Sequence, residues 1–374
     1  MVSFASVHLQ IANCKLQIEM KLSDLTSRAG EWLRGSGPMS EIVISSRIRL
    51  ARNVAGHNFL GKCTRSQRNA LEHKIRNVVL GSASTISTSG TMLYVDLAEA
   101  PEVDRQLLVE RHLISKPHAM AEGSRGVAIG DEEAVSIMVN EEDHLRIQVL
   151  KSGLQLDEAW DQINKIDDTL EAQLDFAFHP RFGYLTACPT NVGTGIRVSV
   201  MLHLPALKLT GEIEKVFRAA KDMKLAVRGL YGEGTEATGD FYQISNQTTL
   251  GKVEEDIIQD FKHVVIPKII DYEHHARRTL LSERTTALDD KVHRALGVLR
   301  TARLITSEEV LFLLSHLRMG VNLGRISDIE IRTINEILLM TQPAHLQKLL
   351  GKKVEGDIRR AARADFIRKK LGVN

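Results

Sequence analysis

The sequence predicts an α/β (α+β) chain, with a first region built on a largely antiparallel sheet flanked by helices and then an all-helical region. Three observations carry that expectation. Segments before residue 250 alternate apolar and polar residues with the period of a strand. Helical spacing is interspersed among them, and strand signals vanish from about residue 252 onward.

In EIVISSRIRLA, Ile42, Ile44, Ser46, Ile48 and Leu50 share one face, and Val43, Ser45, Arg47 and Arg49 share the other. HLRIQVL sets Leu145, Ile147 and Val149 against His144, Arg146 and Gln148. GIRVSVMLHL separates Ile196, Val198, Val200 and Leu202 from Arg197, Ser199, Met201 and His203. Such alternation belongs to antiparallel strands with one face packed and the other turned to solvent or ligand. Helical spacing joins Leu156, Trp160, Ile163, Ile166, Leu170 and Leu174, and again Ile213, Val216, Phe217 and Ala220 behind Thr210 as a cap. Further on, EEDIIQDFKHVVIPKIIDYEHHARRTLL reads as a long helix kinked near Pro267. More helices are predicted at 306–319, 327–340, 343–350 and 356–371, with turns at Gly320, Gly324 and Gly351.

Composition bounds the rest. The 374 residues are enough for two or three domains, and 49 basic against 47 acidic side chains name no partner by bulk charge. Cys14, Cys63 and Cys188 are odd in number, far apart and form no CxxC pair, so neither a disulfide framework nor a zinc knuckle is indicated, which suggests a reducing compartment. No apolar run approaches the roughly 18 residues of a membrane helix. The opening MVSFASVHLQIANCKLQIEM lacks a basic n-region, so it is a poor signal peptide. Its first 19 residues read as a loosely ordered extension, or as preceding a true start at Met20.

The polar strand faces carry Arg47, Arg49, Arg146 and Arg197, and a fifth arginine, Arg228, precedes the turn-rich RGLYGEGTEATGD. A single strand arginine is often a solvated edge guard. Four on otherwise apolar strands suggest a polyphosphate site, since guanidinium is planar, permanently charged and suited to bidentate binding of phosphate oxygens. Standard nucleotide motifs are missing, and GEGTEA lacks the βαβ context of a dinucleotide site. His274 and His275 beside Glu273 read as a solvated helix face rather than a metal site. NEEDHLR, with Glu141, Glu142 and Asp143, and GEGTE, with Glu233 and Glu236, offer paired carboxylates; these either hold a cationic substrate or are plain surface acids beside turns.

Longer motifs decide between these readings. SSRIRLARN, NEEDHLRIQ, CPTNVGTGIRVSV and RGLYGEGTEATGDFYQISNQTTLG together resemble the catalytic domain of phosphagen (guanidino) kinases. ERHLIS at 110–115 is similar to the bacterial protein-arginine kinase (McsB-type) branch. The resemblance implies an extension over 1–20, a phosphagen-kinase-like catalytic domain over 21–255 and a helical, regulatory domain over 256–374. It implies ATP bound by Ser45, Ser46, Arg47, Ile48 and Arg49, by His112 at the adenine, by Arg146, by Arg197, Val198, Ser199, Val200 and Met201, and by Arg228, Gly229, Leu230, Tyr231, Gly232 and Glu233. Mg²⁺ is then held mainly by nucleotide and water, with no protein metal cage. Glu142 and Glu233 become the carboxylates that orient an acceptor guanidinium and take its proton, and the Cys188 thiolate favours the cation without forming a covalent intermediate.

Small-molecule guanidino kinases resembling this chain carry a helical domain before the SSRxR strand. Here 44 residues precede Ser45, which implies an open site suited to arginine on protein surfaces. The implied function is ATP-dependent phosphorylation of protein arginine in the cytoplasm, marking stress-damaged or regulatory proteins such as heat-shock repressors for degradation. A homodimer, an activator protein and the degradation machinery are the expected partners; neither membrane nor nucleic acid is. Rival readings are a free-arginine kinase, or an inactive adaptor whose tail binds nucleic acid, since residues 347–374 hold nine Lys/Arg against three Asp/Glu. The branch's phosphoarginine-binding R-D-x-x-R-A motif is matched by Asp357, Arg360 and Ala361. Gly356 replaces its first arginine, with Arg359 or Arg363 to compensate.

Overall fold

The computed structural model describes Leu22, Leu25, residues 29–230 and residues 238–373, apart from the side chains of Asp131 and Thr238. The expected extension, the Met20 start and Cys14 lie outside the described residues. Ten strands are described: β1 (Val43–Arg52), β2 (Leu93–Asp96), β3 (Gly126–Ile129), β4 (Val135–Val139), β5 (Leu145–Ser152), β6 (Phe178–His179), β7 (Gly183–Tyr184), β8 (Ile196–His203), β9 (Leu225–Arg228) and β10 (Phe241–Asn246). Eight of them form one sheet in the order β2-β3-β4-β5-β1-β8-β10-β9, every pair antiparallel. β6 and β7 make a separate small hairpin. The alternating segments thus become β1, β5 and β8 at the centre of the sheet, where both flanks of each strand are paired.

Helices α1 (Arg65–Gly81), α2 (Ala83–Ile86), α3 (Glu102–Glu110), α4 (Lys116–Met120), α5 (Leu156–Glu171), α6 (Pro205–Thr210) and α7 (Ile213–Asp222) interleave with the strands. α1 opens on a capping box in which Thr64 and Gln67 satisfy each other's backbone amides. The stripe of Leu156, Ile163, Ile166 and Leu170 on α5 is buried, and α5 packs on β1 and β5. Thr210 does not cap α7. Pro205 starts a short α6 of which Thr210 is the last residue, its hydroxyl bonded back to the Ala206 carbonyl, and Gly211 closes that helix in the left-handed region.

The remainder is helical: α8 (Glu254–Asp260), α9 (Ile266–Glu283), α10 (Thr285–Thr301), α11 (Ser307–Asn322), α12 (Ile331–Met340), α13 (Pro343–Leu350) and α14 (Gly356–Lys370). The predicted kink is a π-helical turn over Phe261–Val265, immediately before Pro267 removes an amide from the ladder. The whole of α10 had no counterpart among the predicted helices. Gly320 is not a turn: it lies within α11, where a Cβ would come within 2.3 Å of Val292 on α10, so glycine lets the two helices approach closely. Glu273 is likewise not solvated. It is fully buried, accepting from the amides of Ala206 and Leu207 at the start of α6 and from Arg277. One apolar core runs from Trp32 through both faces' helices to Leu371. No helix among the described residues is long and apolar enough to cross a membrane.

A buried ion pair ties the central strand to its helix. The Arg52 guanidinium donates to Asp167 on α5 at 2.7 Å and to the Thr194 carbonyl at 2.9 Å, and it lies 3.6 Å from the Tyr184 ring centre. Breaking such a pair leaves an uncompensated buried charge. Asp167→Ala should therefore destabilise the fold by about 3 kcal/mol, read by urea denaturation, whereas Arg52→Met with Asp167→Leu should recover most of the loss. Equal stability of the single and double variants would contradict this assignment.

Candidate active site

The register of β1 gathers the arginines. Arg49 stands opposite Arg197 on β8 and Gln148 on β5; Arg47 stands opposite Ser199 and Leu150; Ala51 stands opposite Arg146. Across β10, Ser199 pairs with Ser245 and Met201 with Gln243, which also faces Arg228 on β9. Side chains directly opposite in a ladder share a face. Arg47, Arg49, Arg146, Arg197 and Arg228 therefore project from one side of the sheet.

The same parity divides the predicted nucleotide stretches. Ser45, Arg47, Arg49, Arg197, Ser199 and Met201 share the arginine face, whereas Ser46, Ile48, Val198 and Val200 turn to the opposite side. The Ser46 hydroxyl donates to the Gly153 carbonyl and accepts from the Gln155 amide, and the other three fill the core. These four side chains hold the sheet rather than line the site. Gly229 and Leu230 follow Arg228 and are buried. Tyr231, Gly232 and Glu233 lie outside the described residues, as does Glu236.

Crowding and burial act on the arginines together. The half-buried Arg47 donates to Ser199 Oγ at 3.3 Å and Gln243 Oε1 at 2.6 Å. Burial, and then Arg146, Arg197 and Arg228, push its pKa down to about 9. Arg49 is buried and lowered further, by burial first and by its arginine neighbours next. Among the described residues its Nε and Nη2 have no hydrogen-bond partner. Buried donors left unpaired are costly, so the face is preorganised for an anion with several oxygens. Arg146 is the exception. Burial lowers it, but Glu141, accepting from Nη1 at 2.7 Å, outweighs burial and holds it more firmly cationic.

Glu141 completes a small network. Burial opposes its ionisation, yet Arg146, the Ser115 hydroxyl at 2.7 Å and the Glu142 amide at 3.0 Å push its carboxyl down to about 2. Glu142 itself is exposed at the loop tip. Asp143 is buried and joins this loop to the one bearing Cys188: its Oδ1 accepts from Asn53 Nδ2 at 2.6 Å and from the Ala187 amide at 2.7 Å. Asn53, at the end of β1, also donates to the Leu185 carbonyl and accepts from the His144 amide. Cys188 is half-buried, with its Sγ 3.0 Å from Thr190 Oγ1. Gly195, at φ +67, then returns the chain to β8, and a Cβ there would fall 2.7 Å from the Ala51 carbonyl oxygen. Glycine is required at that approach.

His112 sits at the other end of the face. It has a left-handed backbone, and its carbonyl accepts from Gln148 Nε2 at 2.6 Å. Its ring meets Trp32 edge-to-face at 4.5 Å, and burial, with Arg47 nearby, pushes its pKa down to about 3, so the imidazole is neutral. Trp32, His112, Leu150, Met201, Ser45, Arg47, Ser199 and Gln243 line one pocket. Trp32, Gln243 and Asn53 were not predicted, Gln148 was read only as part of a polar strand face, and Asp143, read as a candidate substrate carboxylate, is instead a buried tie between loops. Gln148 and Gln243 lie in predicted or quoted strand segments, and their parity beside the arginines was the available signal.

The tail site is separate from this face. Arg360 Nη1 is 3.1 Å from Asp357 Oδ1, both exposed on the first turns of α14, with Ala361 half-buried after them. Gly356 begins the helix at φ +54, a conformation that would strain an arginine. Arg363 cannot compensate, because it is buried and donates to the Thr341 and Ile305 carbonyls. Among the described residues, no group of three or more His, Cys, Asp or Glu side chains could hold a metal ion.

Residues 71–276 match the ATP:guanido phosphotransferase C-terminal catalytic domain, and residues 285–374 match the protein-arginine kinase McsB C-terminal domain. A protein-arginine kinase of Halothermothrix orenii is 45% identical over 355 residues, covering 95% of this chain and 100% of the relative. One from Symbiobacterium thermophilum is 49% identical over 352 residues, covering 92% and 98%. Among solved structures, the duplicated taurocyamine kinase of Schistosoma mansoni with transition-state-analogue components aligns with TM-score 0.57 and 27% identity. That alignment covers 64% of this chain and 34% of that one. A lombricine kinase aligns with TM-score 0.54 and 26% identity, covering 67% and 70%.

Two outcomes follow from the site's electrostatics. Arg49→Met removes a buried, incompletely paired cation. It should raise the melting temperature without ligand by about 2 °C or more and remove most of the further rise caused by added polyphosphate; a lowered melting temperature would contradict the anion-site reading. Glu141, depressed from 4.5 to about 2, contributes stability that is complete above pH 4.5 and lost as pH falls toward 2. The stability gap between wild type and Glu141→Gln should therefore close across that window, and a gap independent of pH would show that the Arg146 pair does not act this way.

Proposed function

Because this chain belongs to the ATP:guanido phosphotransferase family, in its protein-arginine kinase branch, we propose that it transfers the γ-phosphoryl group of ATP to arginine side chains of proteins. The observation that carries the reading is the single face of five arginines, with Arg49 donors still unsatisfied, beside an exposed Glu142 and a half-buried Cys188. A triphosphate matches that face in charge and in its need for several hydrogen-bond donors. Arg47, Arg49, Arg146, Arg197 and Arg228 grip the phosphate oxygens, and the base lies at the His112 end of the face, where His112 is held against Trp32. Mg²⁺ would come with the nucleotide rather than be held by side chains, and would supply charge neutralisation at the transferring group.

The acceptor guanidinium, with pKa above about 12, is a poor nucleophile until it loses a proton. Glu142 fixes its plane and, with Glu233 from the segment outside the described residues, provides the base. One guanidinium nitrogen bonds to the γ-phosphorus as the bond to the β–γ bridging oxygen breaks; ADP leaves with that electron pair, and the proton passes to a carboxylate. The Cys188 sulfur favours the cationic acceptor before transfer. Glu142 at an exposed tip suits an arginine presented on another protein's surface.

By the same reading the protein is cytoplasmic and acts as a homodimer with an activator protein. It marks stress-damaged or regulatory proteins for degradation, and Asp357, Arg360 and Ala361 with Arg359 form an allosteric phosphoarginine site. Incubation with Mg·ATP and an arginine-rich protein should yield acid-labile phosphate on arginine, with free arginine a much poorer acceptor at equal guanidine concentration. Preference for free arginine would overturn the substrate assignment. Glu142→Gln should lower transfer by about 10²–10⁴-fold with ATP binding retained; full activity would remove Glu142 from the chemistry. Calorimetric titration with phosphoarginine should show binding to wild type that Asp357→Ala loses, and the absence of binding to wild type would leave the tail a plain basic surface.

A further inference from the structure

Both rings of the base pocket are anchored in the helical region. Trp32 lies in a 3-10 turn over Glu31–Leu33, and the Leu33 carbonyl accepts from Asn335 Nδ2 on α12 at 2.8 Å. The Asn335 Oδ1 in turn accepts from Arg318 on α11 at 2.5 Å, and Arg318 also donates to the Ser40 carbonyl at 2.9 Å. His112 follows directly on Glu110 and Arg111, which meet the start of α13. The Glu110 carboxylate accepts from the Ala344 amide at 2.9 Å, the His345 amide at 3.1 Å and His345 Nδ1 at 2.8 Å. His345 Nε2 lies 3.0 Å from Arg111 Nη1, and Arg111 makes a fully buried pair with Glu133 through contacts of 2.5 Å. Glu133 packs in turn against Gly30, where a Cβ would come within 2.9 Å of its Oε2.

This chain of contacts fixes the protonation of His345. Nδ1 faces a carboxylate and must carry the proton; Nε2 faces a guanidinium N–H and must accept. Burial lowers its pKa from the ordinary range, more than Glu110 raises it, which agrees with a neutral ring. A single imidazole thus satisfies Glu110 and Arg111 at once, at the two residues that precede the pocket histidine. His112 has a left-handed backbone, which needs firm support from its neighbours.

We propose that His345 is a positioning residue for the nucleotide base, acting through Glu110 and Arg111 to hold His112 against Trp32, so that the helical region completes the ATP pocket. The inference rests on the ATP site proposed above, and deepens it. Neither His345 nor Asn335 lines the pocket, so their influence passes through the residues they bind.

The test measures ATP affinity by calorimetry on the full chain without acceptor, alongside kcat at saturating ATP. His345→Ala should weaken ATP binding by about tenfold and leave kcat at saturating ATP within about threefold. His345→Gln retains an acceptor toward Arg111 and a donor toward Glu110, so it should recover most of the affinity. Glu110→Gln, which keeps shape but loses charge, gives a second reading if the alanine variant folds poorly, and should shift affinity in the same direction. Unchanged affinity in all three variants would overturn the proposal while leaving the ATP site standing, as would a loss of kcat with affinity intact or a glutamine variant no better than alanine. Absence of ATP binding by wild type would remove the site and the proposal together.

Discussion

Five guanidinium groups on one sheet face repel each other, and burial removes the water that would otherwise screen them. That repulsion is the condition the surrounding structure has to withstand. Central strands paired on both sides cannot slip by one residue without turning Arg47, Arg49, Arg146 and Arg197 into the core, so the ladder holds these charges where they would not gather by themselves. Gln243 and Ser199 satisfy part of Arg47, and Glu141 neutralises Arg146. Arg49 is left as the least satisfied cation in the described site. The folded state without ligand therefore stores unfavourable electrostatic energy that an anion with several oxygens releases.

The neighbouring loops are built to hold position rather than to adapt. Asp143 binds Asn53 and the Ala187 amide through one carboxylate oxygen, so the acidic loop, the end of β1 and the thiol loop are referenced to one atom. The Arg52–Asp167 pair fixes the same strand end from the opposite face of the sheet. Preorganisation of this kind lets binding energy go into the reaction rather than into ordering loops.

Much of this was legible in the sequence because it depends on local periods. Alternation assigned the faces of β1, β5 and β8, and with them the orientation of Arg47, Arg49, Arg146 and Arg197. The same alternation placed Ser46, Ile48, Val198 and Val200 on the opposite face, against a motif reading that took each stretch whole. Contacts such as Glu110 with His345 join residues far apart in the chain, and no period or cap announces them. Thr210 misled because a threonine before an amphipathic run looks like an N-cap, whereas Pro205 five residues earlier was the stronger start signal. Glu233 belongs to the segment outside the described residues, so its role is carried by the motif alone.

Burial of the arginine face also determines how dissolved salt acts on it. Small ions weaken attraction between charges they can surround, over about 8 Å at physiological ionic strength. They approach an exposed basic patch freely, but they reach Arg49 only by entering the sheet face and giving up their water. Added salt should thus slow the arrival of a polyanion, which is steered through open solvent, more than it loosens one already seated among the arginines. In this fold the rate of capture and the strength of holding respond to ionic strength on different scales.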